Sequence, residues 1–354
     1  MNKTQFYAGS LFPDFQANKK FYLANRRYLG NKSKLADWIL GIILAEAHDA
    51  RSFLDLFAGT GAVGNKALSC YEKVIFNDFL YCNYVSFIAF FADGVWDEAH
   101  VAHFIRQMNA ADVSALGDNY FSRYFGNKYF GMEAAIMIGH IREEIEKRKH
   151  EFTLKEYCVL IASLIYSADK IANTTGQYEA YRKTGTGYKD FEMCMIDAKR
   201  RKGVQIYNED ANLLVRSVSS DIVYLDPPYN SRQYCSLYHV IENLAKWDKP
   251  ALYRDTSKPL RFDNKSEYST KNACSAFSDL VSMVNAKYIA VSYNNTYGAK
   301  SDTSNNKMTL GEIRQILERR GITKVYEKDY KPFNAGKTDL RNHKEYLFIT
   351  KVNK

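Results

Sequence analysis

The chain has 354 residues, 46% of them hydrophobic, and a formal net charge of +9 at pH 7. That is enough apolar material for one large domain or two smaller ones, and no run of 18 or more apolar residues reads as a membrane span. Met1 to Ser10 lacks the apolar stretch of a secretory leader, the six cysteines form no CxxC pair and the seven scattered histidines complete no zinc-like cluster, so a soluble cytoplasmic protein with reduced thiols and no metal is expected.

Residues 1–25 are polar and aromatic without clear period and read as an arm. Leu35, Trp38, Ile39, Ile42 and Ile43 then fall at helical spacing, with Asn31 or Ser33 as the expected cap. Arg51 to Phe57 reads as a buried strand, Gly59-Thr60-Gly61 as a tight loop, Ala62 to Ser69 as a helix and Lys73 to Asn77 as a second strand. This β-α-β unit points to a parallel sheet. Residues 91–204 differ, with helical stretches such as Met132 to Lys149 and Leu154 to Ile171. Strand patterns return at Val204 to Tyr207, Asp221 to Leu225, Tyr288 to Tyr293 and Glu345 to Thr350. The expectation is a doubly wound, Rossmann-like α/β domain formed by residues 1–90 and 205–354 and interrupted by a mainly helical insertion, 91–204. Asp255 to Lys271 and Asn294 to Lys307 read as polar surface loops.

Three short segments carry chemistry. In Asp55-Leu56-Phe57-Ala58-Gly59-Thr60-Gly61-Ala62-Val63-Gly64 a strand ends, glycines turn the chain and a helix begins. Such a loop lets a ligand approach the backbone at the carboxyl edge of the sheet. Asp78, ending the next strand, is placed to accept hydrogen bonds from ribose hydroxyls. Gly59, Gly61 and Gly64 also satisfy the dinucleotide fingerprint, with an acid about 20 residues on, so a nicotinamide cofactor stays open on this motif alone. Asp55 tilts the choice. A carboxylate there repels a pyrophosphate but suits a sulfonium and an ammonium, the charge pattern of S-adenosylmethionine.

The second segment is Asp226-Pro227-Pro228-Tyr229, directly after the apolar Ile222 to Leu225. An exocyclic adenine amine is a poor nucleophile because its lone pair is delocalised into the ring. A carboxylate accepting one N–H and a backbone carbonyl accepting the other draw the nitrogen toward tetrahedral geometry. Asp226 offers the carboxylate and Pro227 the carbonyl, and the prolines hold both in extended conformations. Tyr229 offers a ring on which an extruded base can stack. A plain proline turn with an exposed aspartate is the bland reading. The third segment, Arg27-Tyr28-Leu29-Gly30-Asn31-Lys32, is by itself only a basic approach to a helix.

In this order, RYLGNK, DLFAGTG and VYLDPPY resemble the Dam-like (class alpha) adenine-N6 DNA methyltransferases, including the modification enzymes of restriction systems. Weaker echoes lie in Ser292-Tyr293-Asn294-Asn295 and Lys344-Glu345-Tyr346-Leu347-Phe348. The resemblance implies S-adenosylmethionine as cofactor. Tyr28, Gly30 and Lys32 would contact its methionine part, Asp55, Phe57, Gly59 and Gly61 would form the main pocket, Asp78 would hold the ribose, and Asp210 would sit at the adenine ring. Asp226, Pro227, Pro228 and Tyr229 would be catalytic, and the helical insertion would be the target-recognition domain. Asn31 departs from the small residue that relatives often carry between Gly30 and Lys32.

Double-stranded DNA is then the implied partner, in keeping with the positive charge. Asn173, Thr175, Tyr178, Tyr181, Arg182 and Lys183 lie in a run of amides, aromatics and bases suited to phosphates and base edges, although a polar helix end fits equally well. Arg200 and Arg201, in the basic run Lys199 to Lys202, are further candidates, with a solvated loop as the default. A cognate restriction endonuclease is a partner the resemblance admits, and a monomer is expected. Cytosine N4 or RNA adenine as substrate, a nicotinamide dehydrogenase, and a non-catalytic DNA-binding regulator remain alternatives at this point.

Overall fold

The computed structural model describes residues 20–183, 187–228, 232–253, 257–295, 308–330 and 343–353. Its centre is a sheet of seven strands: β1 (Ser52–Asp55), β2 (Lys73–Asn77), β3 (Val204–Tyr207), β4 (Ile222–Leu225), β5 (Tyr288–Asn294), β6 (Gly321–Asp329) and β7 (Lys344–Val352). The order is β3-β2-β1-β4-β5-β7-β6. β1 to β5 run parallel, while β7 is antiparallel to both β5 and β6. The chain moves outward from β1 to β3, then returns to place β4 on the other side of β1. That reversal opens a crevice beyond the carboxyl ends of β1 and β4, the place where doubly wound sheets bind ligands.

The central strands are apolar because both faces are covered. Leu54, Ile75, Val223, Leu225, Ile289 and Val291 point into one core. Helices α8 (Ala211–Leu214), α11 (Ala273–Met283) and α12 (Leu310–Glu318) cover it. The alternate residues, among them Phe53, Val74, Phe76, Ile222 and Tyr224, point into the other. There α1 (Ala36–Glu46), α2 (Ala62–Ala67), α3 (Tyr81–Phe91) and α10 (His239–Lys246) pack on the sheet, with the short α9 (Tyr234–Leu237) ahead of α10. A fully buried phenylalanine such as Phe76 contributes about 1.5–3 kcal/mol by leaving water.

Between β2 and β3, after α3, come α4 (Glu98–Asn109), α5 (Tyr120–Phe125), α6 (Met132–Lys147) and α7 (Leu154–Ile171). Asp97 caps α4 and the Thr153–Glu156 capping box starts α7. These helices share the core of the α3 side of the sheet. Arg142 ties them to it. Fully buried on α6, it donates to the Leu244 carbonyl at 2.8 Å and the Ala245 carbonyl at 3.3 Å, closing the end of α10. No helix among the described residues is long and apolar enough to cross a membrane.

The structure departs from the sequence reading in two places here. The first helix starts after Leu35 with no side-chain cap, because Asn31 Oδ1 is spent on the Ser33 N–H at 2.8 Å in a turn one step earlier. And β6 was not foreseen. It is an edge strand whose residues are mostly exposed, so it lacks the apolar run that marks a buried strand.

Gly64 shows how tightly α2 lies on the sheet. A Cβ there would stand 2.3 Å from Phe76 Cε1. Gly64→Ala is therefore expected to destabilise the fold by about 1–3 kcal/mol, read as a lower urea midpoint. A midpoint equal to wild type would contradict the close packing.

Candidate active site

Period-two alternation sets the site. Asp55 follows Phe53, Asp78 follows Phe76 and Asp226 follows Tyr224 by two residues, so all three carboxylates continue the α3-facing rows to the carboxyl edge. All three line one cleft, together with Tyr28, Gly30, Lys32, Phe57, Gly59, Asp210, Pro227 and Pro228.

The glycine loop is held from both sides. Asp55 Oδ2 accepts the Gly64 N–H at 2.8 Å, and Asp78 Oδ2 accepts the Gly59 N–H at 2.7 Å. Gly59 and Gly61 have φ of 57° and 77°, a region that L side chains rarely adopt. A Cβ on Gly59 would also press on the Tyr28 ring at 3.1 Å, and one on Gly61 would meet Phe87 at 2.8 Å. Gly61 thus shapes the loop rather than lining the cleft.

Tyr28 forms the opposite wall. Its ring stacks on Tyr238 at 4.5 Å and 8° and lies 5.5 Å from Tyr234. The Tyr238 hydroxyl accepts the Leu29 N–H at 2.7 Å, and Tyr234 donates to the Leu29 carbonyl at 3.3 Å, so α9 and α10 hold the RYLGNK turn in place. Lys32, 5% exposed, reaches back to Asp226 Oδ1 at 3.0 Å, an ion-pair contact without hydrogen-bond direction. At the far end Asp210 caps α8, accepting from the Asn212 and Leu213 N–H groups, and Phe57 meets Tyr268 edge-on at 5.0 Å. Tyr229 lies outside the described residues.

The three acids share one electrostatic condition. Burial pushes Asp55 up to about 8, against the Gly64 hydrogen bond and with added repulsion from Asp226 and Asp78. Burial takes Asp78 to about 6 against the Leu80, Asn83 and Gly59 donors. Asp226 also stands at about 6, raised by burial and held down by Lys32. Asp55 Oδ1 is buried with no hydrogen-bond partner. Such an edge is primed for a cation and hostile to a phosphate.

The segment after α7 lies at the same edge. Arg27 pairs with Asp169 at 3.5 Å and donates to the Thr174 carbonyl at 3.4 Å, while the Tyr178 N–H donates to the Leu237 carbonyl at 2.7 Å. Thr175, Arg182 and Lys183 are exposed there, and Tyr181 is half-buried against Tyr129. Asn173 is engaged internally, its amide donating to the carbonyls of Lys128 and Arg182. Tyr178 corrects the sequence reading. It is completely buried, with its hydroxyl donating to Asp169 at 2.8 Å, so it is a core side chain rather than a surface for DNA. Arg200 and Arg201 are a second correction. Their neighbours are Asp93 and the Phe91 carbonyl at the end of α3, just before β3 begins. This is the amino edge of the sheet, opposite the cleft.

Residues missed in the sequence also enter the site. Gln233, Tyr234, Asn264 and Tyr268 line the cleft, and Asn83 donates to Asp78 at 2.9 Å. Only long-range packing brings them there, and no local spacing marks them. Glu345, noted above only as part of a weak echo, is buried near Asp226 and adds to its repulsion.

Comparison with known proteins identifies the family. The family model of the D12 class N6 adenine-specific DNA methyltransferases matches residues 28–298. The chain is 31% identical over 339 residues to the type II methyltransferase M.NlaIII of Neisseria lactamica, covering 91% of this chain and 98% of that protein. It is 28% identical to the modification methylase LlaI of Lactococcus lactis subsp. lactis and 31% identical to the type II methyltransferase M.FokI of Planomicrobium okeanokoites, each over 91% of this chain. It spans only about half of those two, 53% and 52%. With its acidic cleft, its glycine loop and its DPPY strand end, the chain belongs to the D12 class of N6 adenine-specific DNA methyltransferases.

Proposed function

We propose that this enzyme binds S-adenosylmethionine along the carboxylate edge, extrudes one adenine from duplex DNA and methylates its N6 directly. The observation that carries the reading is Asp226 at the end of β4, backed by Lys32 at 3.0 Å and opening on the same cleft as the glycine loop. The buried, unpartnered Asp55 Oδ1 fits a cofactor bearing positive centres, and among the described residues that line the cleft the one cation, Lys32, is paired with Asp226. When bound, the cofactor supplies an electrophilic methyl whose sulfur leaves as a neutral thioether.

The chain's own residues do the rest. Tyr28, Gly30 and Lys32 border the methionine part, with Asp55 as its counter-ion. Asp78 accepts from the ribose, and Phe57, Asp210 and Tyr268 frame the adenine ring. Asp226 and the Pro227 carbonyl each accept one N–H of the target amine, which frees its lone pair and fixes its direction. Tyr229 stacks on the extruded base. Once methylated, N6 carries an extra proton, which passes through Asp226 to water. Lys32 keeps Asp226 ionised until then. The helical block 91–204 recognises the target, with Thr175, Tyr181, Arg182 and Lys183 toward the DNA. The enzyme acts as a cytoplasmic monomer beside an endonuclease of the same specificity, and needs no metal.

Label from S-adenosylmethionine should appear in duplex DNA as N6-methyladenine, and Asp226→Ala should lower kcat by roughly 10²-fold or more while still binding cofactor. Label in N4-methylcytosine would overturn the assignment of substrate, and an unimpaired Asp226→Ala would overturn the mechanism. Lys32 makes a second prediction through pH. Asp226 is needed as a carboxylate, so the acid limb of kcat should lie near pH 6. Lys32→Met removes the influence that lowers this pKa and leaves burial unopposed, so the limb should move to higher pH. An unmoved limb would show that Lys32 does not govern Asp226.

A further inference from the structure

Arg26 is a buried cation that no sequence motif singled out. It is 3% exposed, and among the described residues no carboxylate lies within ion-pair distance. One guanidinium nitrogen donates to Asn83 Oδ1 at 2.6 Å and another to Cys82 Sγ at 3.2 Å. Its charge is otherwise met by aromatic faces, with Tyr28 and Tyr238 centred 5.8 and 5.9 Å away. Burying a charge this way is costly, which asks for a reason beyond packing.

Donor chemistry supplies one. A guanidinium can only donate, so Asn83 must turn its oxygen toward Arg26 and its NH₂ the other way. That NH₂ donates to Asp78 Oδ1 at 2.9 Å and lies 3.5 Å from the Tyr28 hydroxyl. Asp78 Oδ1 also accepts the Leu80 N–H at 2.9 Å, and Oδ2 accepts the Gly59 N–H at 2.7 Å. A carboxylate offers about four acceptor sites, so three are filled and one remains, on the oxygen shared with the glycine loop. With Asn83 flipped, its carbonyl would face the carboxylate, and Asp78 would turn.

We propose that Arg26 and Asn83 are positioning residues for the cofactor: Arg26 fixes the amide of Asn83, and Asn83 fixes Asp78 with one acceptor site free for a ribose hydroxyl. This rests on the reading of Asp78 as the ribose acceptor. The same guanidinium sits over Tyr28, so a single side chain braces two walls of the pocket.

Binding of S-adenosylhomocysteine and of duplex DNA, each followed by calorimetry on the full chain, tests the proposal. Asn83→Asp keeps a partner for Arg26, and so the fold, but replaces the donor to Asp78 with a second carboxylate. At pH 8.5 its affinity for the ligand should fall on the order of tenfold or more relative to wild type, the scale of a lost hydrogen bond to a charged group. By pH 6 the ratio should narrow, because two carboxyls in contact retain a shared proton that restores the donor. DNA affinity should hold at both pH values and the thermal midpoint at pH 6, where the shared proton is kept. Arg26→Lys, which still donates to Asn83 Oδ1, should bind close to wild type, whereas Arg26→Met should not. Asn83→Asp binding as tightly as wild type at pH 8.5, or weakened equally at both pH values, would overturn the proposal. Asp78→Asn separates the two readings. If it binds normally, the ribose assignment fails; if it binds weakly while Asn83→Asp binds normally, only the positioning role fails.

Discussion

Everything in the cleft depends on the register of the parallel strands. Side chains alternate between faces, so a residue two places beyond a core position continues the same row. Asp55, Asp78 and Asp226 each stand two places beyond an aromatic of the α3-side core, on three adjacent strands. A slip of one residue in β1 or β4 would send a carboxylate to the other face and an apolar side chain into the cleft. The apolar residues that hold the register therefore also hold the acids together, and the stability of the sheet and the chemistry of its edge have one origin.

Three carboxyl groups in one poorly solvated cleft disfavour one another's ionisation, and the fold compensates unequally. Asp78 receives three donors, Asp55 one and Asp226 an ammonium. This inequality fits the roles proposed for them. The acid with most donors is fixed in direction and suits a neutral hydroxyl. The one with a bare buried oxygen suits a cation. The one paired with a buried ammonium stays a carboxylate that can accept an amine proton. The exposed bases Arg182 and Lys183 lie elsewhere, on the segment that follows α7 and is pinned to the same edge through Arg27, and the function proposed above gives the polyanionic substrate to them.

The sequence announced those parts whose signal is local. Apolar runs marked β1, β2, β4 and β5, the glycines marked a loop needing positive φ, and Asp226-Pro-Pro marked a rigid strand end. Chemistry alone could read Asp55 against a pyrophosphate. What was not legible depended on distance. Nothing near Tyr178 distinguishes a ring that stacks on DNA from one buried against Asp169. The basic run at Arg200 and Arg201 reads as a solvated loop or a DNA contact alike until the direction of α3 puts it at the edge opposite the cleft. β6 hid because an exposed edge strand carries no apolar pattern. Tyr234 and Asn83 reach the cleft only through tertiary packing.

On the function proposed above, this buried edge turns anionic as it receives a cationic cofactor. Asp55, at about 8, is largely protonated in the free protein at neutral pH and must ionise when a cation arrives. Binding of S-adenosylmethionine measured by calorimetry at pH 7, in buffers of different ionisation enthalpy, reads that proton directly. Release of about one proton is expected on binding, lost in Asp55→Asn. Binding without proton release, or release that survives Asp55→Asn, would contradict it.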